Sequence, residues 1–468
     1  MGSYLITGGT VVTATDTVTA DVFIDGEQIA AILAPGSLLG AGLQREGVPV
    51  ISADGCYVLP GGVDPHTHFE AEGQSVPVLD TFATGTRAAA LGGTTTVIDF
   101  AYARPGERPA QGLDWYHSKA DGQCAVDYGF HMMLTNCDEE TVADVDQLMD
   151  RGVTSFKLYT AYTGTLYSTD DVILRMLQHS RRSGALMMLH AENGPAIDVL
   201  REQAVEAGQT EPRYHARTRP AALEAEAVHR VTRLAEVAGA PVYIVHLSSA
   251  EGLGEVVRAR ARGVRVLAET CPQYLFLDED RLALPGFEGA GFVCSPPLRA
   301  KEDQEALWKG LSDRHLQNVA TDHCPFCRDQ RLPGVDDFRN IPNGLPGVEH
   351  RLEQVFHGGV AGGKISLNRW VEICSTAPAK IFGLYPRKGT LAPGADADVV
   401  IFDPHAGHVV SAKTHHMNVD YSVYEGQALS GAVRTVLLRG KVVVDDGRYT
   451  GASGDGRFLA RGASITEP

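Results

Sequence analysis

Ser155-Phe-Lys-Leu-Tyr159 and Leu186-Met-Met-Leu-His190 are two short apolar runs, and the stretch between them from Asp170 to Ser183 reads as a helix. Strand, helix and strand in that order form the repeating unit of a parallel sheet. The alternation extends outward from this unit. Strand-like pieces recur at Thr95-Thr-Val-Ile-Asp-Phe100, Val242-Tyr-Ile-Val-His246 and Val264-Arg-Val-Leu-Ala-Glu269, and Ala221 to Ala238 reads as a further helix. In a chain of 468 residues this pattern predicts a (β/α) barrel over residues 56–385. The two ends differ from the middle. Tyr4-Leu-Ile6, Thr10 to Ala14 and Ala20 to Ile24, then Ala397 to Phe402, Ala432 to Arg439 and Lys441 to Asp446, are β-rich runs set off by Gly, Pro and Asp-Gly signals. Residues 1–55 and 386–468 are therefore expected to join into one small accessory domain.

Composition is that of an ordinary globular protein, 44% hydrophobic and 21% charged. The formal net charge of −17 repels phosphate backbones and anionic membranes, so nucleic acid is an unsuitable partner. Apolar runs fall far short of the roughly 20 residues that a membrane span needs. The first residues, Met1-Gly-Ser-Tyr-Leu5, lack a basic segment followed by an apolar one. The eight cysteines are scattered instead of forming a disulfide framework, and a reducing cytoplasm is expected. Cys324-Pro-Phe-Cys327 has redox or zinc spacing, but it has neither a second pair nor a thioredoxin-like context.

Chemistry in such a barrel sits at the carboxyl ends of the strands. After Val58-Leu-Pro-Gly-Gly-Val-Asp-Pro65 comes His66-Thr67-His68, and an extended backbone sends residues i and i+2 to one face. Alone, an H-x-H is equally two unrelated histidines. His190, His246 and Asp322, however, end further strand-like pieces, and Lys157 lies within another. Four histidines and an aspartate suit Zn²⁺, with Mn²⁺ or Co²⁺ as alternatives. They are too many for one catalytic zinc with an open position. Two ions about 3.5–4 Å apart would accommodate them, activating a bridging hydroxide and polarising a carbonyl. Lys157 as an ammonium would repel such ions, whereas its carbamate, formed with CO₂, would bridge them.

Taken with their neighbours, these residues resemble the hydantoinase/dihydropyrimidinase branch of the amidohydrolase superfamily. The resemblance rests on Gly61-Gly-Val-Asp-Pro-His-Thr-His68, Ser155-Phe-Lys-Leu-Tyr-Thr-Ala-Tyr162, His190-Ala-Glu-Asn193 and Val245-His-Leu-Ser-Ser249. It continues through Ala268-Glu-Thr-Cys-Pro-Gln-Tyr-Leu275, Cys294-Ser-Pro-Pro-Leu-Arg299, Asp322-His-Cys-Pro-Phe326, Ile341 to Glu349 and Gly389 to Val400. It implies a TIM barrel flanked by a β-sandwich made from both termini. It also implies a binuclear centre with His66, His68 and Asp322 on one ion and His190 and His246 on the other. Carbamylated Lys157 would bridge the two. Asp322 would act as general base and Tyr162 as donor to the developing oxyanion. Ser295 and Asn343 would hold the cyclic imide or ureide through backbone groups. The implied reaction is hydrolytic opening of a hydantoin or 5,6-dihydropyrimidine ring to an N-carbamoyl amino acid, by a homotetramer or homodimer.

Sister families differ at identifiable positions. Dihydroorotases resemble H-x-H-x-R, where the arginine pairs with the substrate carboxylate; here that position is Glu70, which is expected to repel an anionic ring. Allantoinases typically carry Asn there and His where this chain has Gln273. An allantoinase-like or other unusual ring substrate is the alternative. Non-catalytic scaffold relatives lack the metal ligands, and every ligand position is occupied here. One departure concerns the segment after H-x-H, residues 69–78: Glu72 and Gln74 make it more polar than the apolar lid typical of hydantoinases, as either a solvated loop or a mark of a polar substrate.

Overall fold

The computed structural model describes residues 2–72 and 76–465. Eight strands run parallel, each paired with the next in chain order. They are β1 Gly62–Thr67, β2 Thr94–Ala101, β3 Asp127–Met133, β4 Ser155–Tyr159, β5 Leu186–His190, β6 Val242–Ile244, β7 Val266–Thr270 and β8 Asn318–Val319. The sheet closes on itself just past β8, where Thr67 bridges His323 and the His68 amide donates to the His323 carbonyl at 2.9 Å. Asp64 ties the same seam, accepting from the Thr321 amide at 3.1 Å and its hydroxyl at 2.6 Å. The molecule is thus a TIM barrel, and the helices expected over Asp170–Ser183 and Ala221–Ala238 lie on its outside.

Barrel strands are buried on both faces, so their sequences read as continuous apolar runs without amphipathic alternation. Alternation still sets direction. In β4 and β5, Phe156, Leu158, Met187 and Leu189 pack outward in the main core. Leu186 and Met188 fill the barrel interior with Val63, Ile98 and Tyr243. Lys157 and His190 share the inward parity, and the register sets His190 beside Tyr159.

A β-sandwich flanks the barrel. One sheet orders Gln28–Leu33, Asp21–Asp25, Tyr4–Thr7 and Val50–Ser52. The other contains Ala428–Leu438, Val399–Val409, Tyr57–Pro60 and Thr10–Val12. Ile6, Val22, Ile24, Val58, Val399, Ile401 and Leu437 form the apolar layer between them, drawn from both ends of the chain. Tyr57–Pro60, assigned to the barrel in the sequence reading, instead pairs with Val399–Val409 and Thr10–Val12. We accordingly propose that the barrel begins after Gly61. The joint is charged: buried Lys388 donates to Asp127 of β3 at 2.6 Å and to Asp398 at 2.7 Å, and Arg439 also reaches Asp127. Among the described residues no helix is long and apolar enough to cross a membrane.

Candidate metal centre

His66 is fully buried at the end of β1, and its ring is fixed from both sides. Nδ1 lies 2.5 Å from Glu269 Oε1 on β7, while Nε2 faces Asp322 Oδ1 at 3.1 Å and Lys157 Nζ at 3.0 Å. His68 Nε2 comes within 3.2 Å of the same Asp322 oxygen. Across the barrel mouth, His190 Nδ1 sits 3.0 Å from His246 Nε2, and His190 Nε2 lies 2.8 Å from Glu192. One nitrogen or oxygen from each of His66, His246 and Asp322 lies within 4.8 Å of the others. All six residues expected as ligands therefore converge on the carboxyl ends of the strands.

Their backbones explain how. Tyr162, His246 and Asp322 adopt φ of 65°, 38° and 50°, a left-handed region that non-glycine residues rarely occupy. Strand β6 ends at Ile244, two residues before the reading that ran it to His246, because the chain turns there and swings the imidazole inward. Conformational cost of this kind collects where a site needs a side chain aimed against its local preference.

The electrostatics favour lone pairs over bound protons. Burial lowers His68 to about 4 and pushes His190 and His246 down as well. His66 alone moves up: burial opposes its charge, but Asp322 and Glu269 outweigh it. Burial also brings Lys157 down to about 8, against the pull of Asp322 and Glu269. Buried His246 Nδ1 has no hydrogen-bond partner among the described residues. The neutral imidazoles of His68, His190 and His246, with the ionised Asp322 carboxylate beside them, make a donor set that fits divalent ions of the zinc type.

Glu269 and Glu192 had no role in the sequence reading. Each carboxylate accepts from one ring nitrogen of its histidine and so leaves the other nitrogen's lone pair free for the centre. The signal was present: Glu192 follows His190 by two residues, and Glu269 ends the Val264–Glu269 run. Burial would raise the Glu192 carboxyl, but Arg219 outweighs it and brings it to about 2. Arg219, just ahead of the helix Ala221–Ala238, thus supports the site through Glu192.

Above the cluster opens a cavity of about 550 Å³. Tyr162, Ser295 and Asn343 line it with His68, Lys157, His190, His246 and Asp322. Burial drives the Tyr162 phenol above its ordinary value, so it stays a donor at neutral pH. Phe100, Met133, Leu166 and Ile341 supply apolar wall, and Arg339, a cation on that wall, is bound to Asp337 at 2.6–3.0 Å.

The segment after H-x-H turns its carboxylates away from the cavity. Glu70 does not line the cavity; it accepts from the Phe82 amide at a helix N-terminus and lies 3.7 Å from Lys119. Glu72 likewise turns to Lys119 at 3.1 Å. Among the described residues of this segment Ala71 lines the cavity, and Gln74 lies outside the described residues. His323 points away from the centre, with Nε2 2.9 Å from Asp80. Burial raises both thiols of the Cys324–Cys327 pair, Cys327 to about 11, so neither carries the thiolate of a redox motif at neutral pH.

Residues 57–443 match the model of the amidohydrolase family. The chain is 54% identical to a D-hydantoinase of Streptomyces coelicolor over 98% of this chain and 97% of that one. It is 46% identical to a D-hydantoinase of Geobacillus stearothermophilus, covering 98% and 96%. Among solved structures, a dihydropyrimidinase from Brevibacillus agri superposes with a TM-score of 0.96 at 44% identity, covering all of both chains. With these motifs in place on this fold, the chain belongs to the hydantoinase branch of the amidohydrolase family.

Proposed function

We infer that this cyclic-amide hydrolase opens the ring of 5-substituted hydantoins or 5,6-dihydropyrimidines to give N-carbamoyl amino acids. The observation that carries this reading is the convergence of His66, His68, Lys157, His190, His246 and Asp322 beneath a cavity edged by Tyr162.

His66, His68 and Asp322 would hold one divalent ion, His190 and His246 a second, and a Lys157 carbamate would join them. Zn²⁺ is the ion we favour, with Mn²⁺ or Co²⁺ able to replace it. When bound, such a pair supplies an activated water at neutral pH and polarises the ring carbonyl. Only a neutral amine adds to CO₂, and a pKa of about 8 leaves roughly a tenth of Lys157 neutral at pH 7. Asp322 is held well below the usual carboxylate range, since His66 and His68 outweigh the effect of its burial. It is therefore ionised and ready to take the proton of the attacking water, then return it to the leaving ring nitrogen. The Tyr162 hydroxyl donates to the oxygen on which charge develops. Ser295 and Asn343 orient the ring through backbone groups.

Because Glu70 and Glu72 turn to Lys119, the cavity keeps an apolar wall suited to a ring substituent. Metal-loaded enzyme in bicarbonate buffer should open phenylhydantoin, hydantoin and dihydrouracil at distinctly different rates, phenylhydantoin fastest. If none of the three is hydrolysed, the substrate assignment falls. We extend the proposal to a cytoplasmic homotetramer or homodimer on the family resemblance, and sedimentation equilibrium checks the assembly.

A further inference from the structure

A second cluster of ligating side chains lies away from the catalytic cavity, where the barrel meets the sandwich. His350 caps the helix Arg351–Val355, and Glu353 follows it by three residues, so the two side chains share a helical face. His408 comes from the sandwich strand Val399–Val409, beyond the register shift between Asp403 and Gly407. One nitrogen or oxygen from each of the three lies within 4.8 Å of the others. Glu353 Oε2 is 3.4 Å from His408 Nε2 and 4.0 Å from His350 Nδ1. Two ligands at about 2.0–2.1 Å from one tetrahedral zinc stand roughly 3.4 Å apart, so a small side-chain rotation completes the geometry.

Burial makes the arrangement costly as it stands. His350 is 5% exposed, and neither of its ring nitrogens has a hydrogen-bond partner among the described residues. Glu353 is 7% exposed. Its Oε1 accepts from the Val433 amide at 3.0 Å, which turns Oε2 toward the imidazoles. No lysine or arginine among the described residues pairs with it. The other charged groups near His350 do not repair this, because Glu349 is already engaged by the amide and Nδ1 of His416. Buried carboxylates persist when paired or when they coordinate a metal, and buried imidazoles need partners too. A divalent cation answers both needs at once.

We propose that His350, Glu353 and His408 bind a borderline divalent cation of the Zn²⁺ class, distinct from the catalytic pair, that cross-links the barrel to the sandwich. His408, with about a third of its side chain exposed, leaves the fourth coordination position open to water. The assignment does not depend on the catalytic reading.

Metal counting tests it. Full-length protein is stripped with a chelator, dialysed against micromolar Zn²⁺ and analysed for zinc per chain, alongside His408→Gln and His350→Gln/His408→Gln. The wild type should retain one equivalent more than either variant, while hydantoin hydrolysis stays unchanged. In a Lys157→Ala background the equivalent should persist, which separates its fate from that of the catalytic ions. Saturating Zn²⁺ should also raise the Tm of Lys157→Ala by about 2–3 °C more than that of Lys157→Ala/His408→Gln. The partly exposed His408 can be replaced without opening the core, so the single variant decides the matter if the double variant fails to fold. Equal zinc content in wild type and His408→Gln overturns the proposal.

Discussion

At the scale of single residues, the site separates into groups that would hold metal, groups that aim them and groups that meet substrate. Lys157→Ala should lose one metal equivalent and about 10³-fold in activity, read by metal analysis and ring-opening rate together. Tyr162→Phe should keep its metal while kcat falls about 10²–10³-fold, the usual cost of one oxyanion donor. Glu269→Gln leaves every ligand in place but removes the carboxylate that fixes the His66 tautomer. Its metal affinity should drop about 10–100-fold in a chelator competition. The residues expected as ligands were legible in the sequence because His68, His190, His246 and Asp322 end apolar runs in a pattern that repeats. Glu269 and Glu192 were not assigned, since a carboxylate that aims a histidine looks like any other until the fold shows which ring it touches. The placement of Glu70 was hidden for a related reason: its charge was evident, but its direction depends on Lys119, far away in sequence.

At the scale of elements, the helices and strands of the barrel follow from periodicity, and their closest contacts follow from small residues. The helix Phe82–Leu91 approaches Phe69, just past the end of β1, through Gly85, where an added Cβ would lie 2.1 Å from Phe69 Cε1. Phe69 directly follows His68. Gly85→Ala should therefore cost ~1–3 kcal/mol in thermal or chemical unfolding and also weaken metal retention, because the displaced ring pulls on a ligand. A substitution acting on packing alone would change the first measurement and spare the second. Strands β6 and β8 were the hardest to delimit from sequence, at three and two residues. Both stop short because their chains turn to deliver His246 and Asp322, and local propensity carries no trace of that demand.

At the scale of the whole molecule, barrel and sandwich are joined by Lys388, Asp127, Asp398 and Arg439, all buried. Burial disfavours the charge on Asp127, but Lys388 and Arg439 outweigh it and hold the carboxyl below its usual range. Lys388 in turn lies above the ordinary lysine value, since its carboxylates outweigh burial. The depressed Asp127 contributes stability above the unfolded aspartate pKa and loses it on acidification. The raised Lys388 contributes below the unfolded lysine pKa and loses it in strong alkali. Lys388→Met should therefore cost ~3–5 kcal/mol at neutral pH, and the deficit should narrow below about pH 4 as the abandoned carboxylates take up protons. Urea unfolding of both proteins across that range checks the sign. An equal deficit at pH 3 and pH 7 would count against the charged joint.

The barrel's closure has a consequence for how the protein opens. Two-residue β8 and the Thr67–His323 bridge make this join the narrowest part of the hydrogen-bonded ring. His66 and His68 stand on one lip of it and Asp322 on the other, so an ion held by all three would act as a clasp across the weakest line. Deuterium should enter the amides of His68 and Thr321 readily in stripped protein and slowly once the centre is loaded, with little change on the far side of the ring. The clock of local opening would then report occupancy of the centre without any substrate.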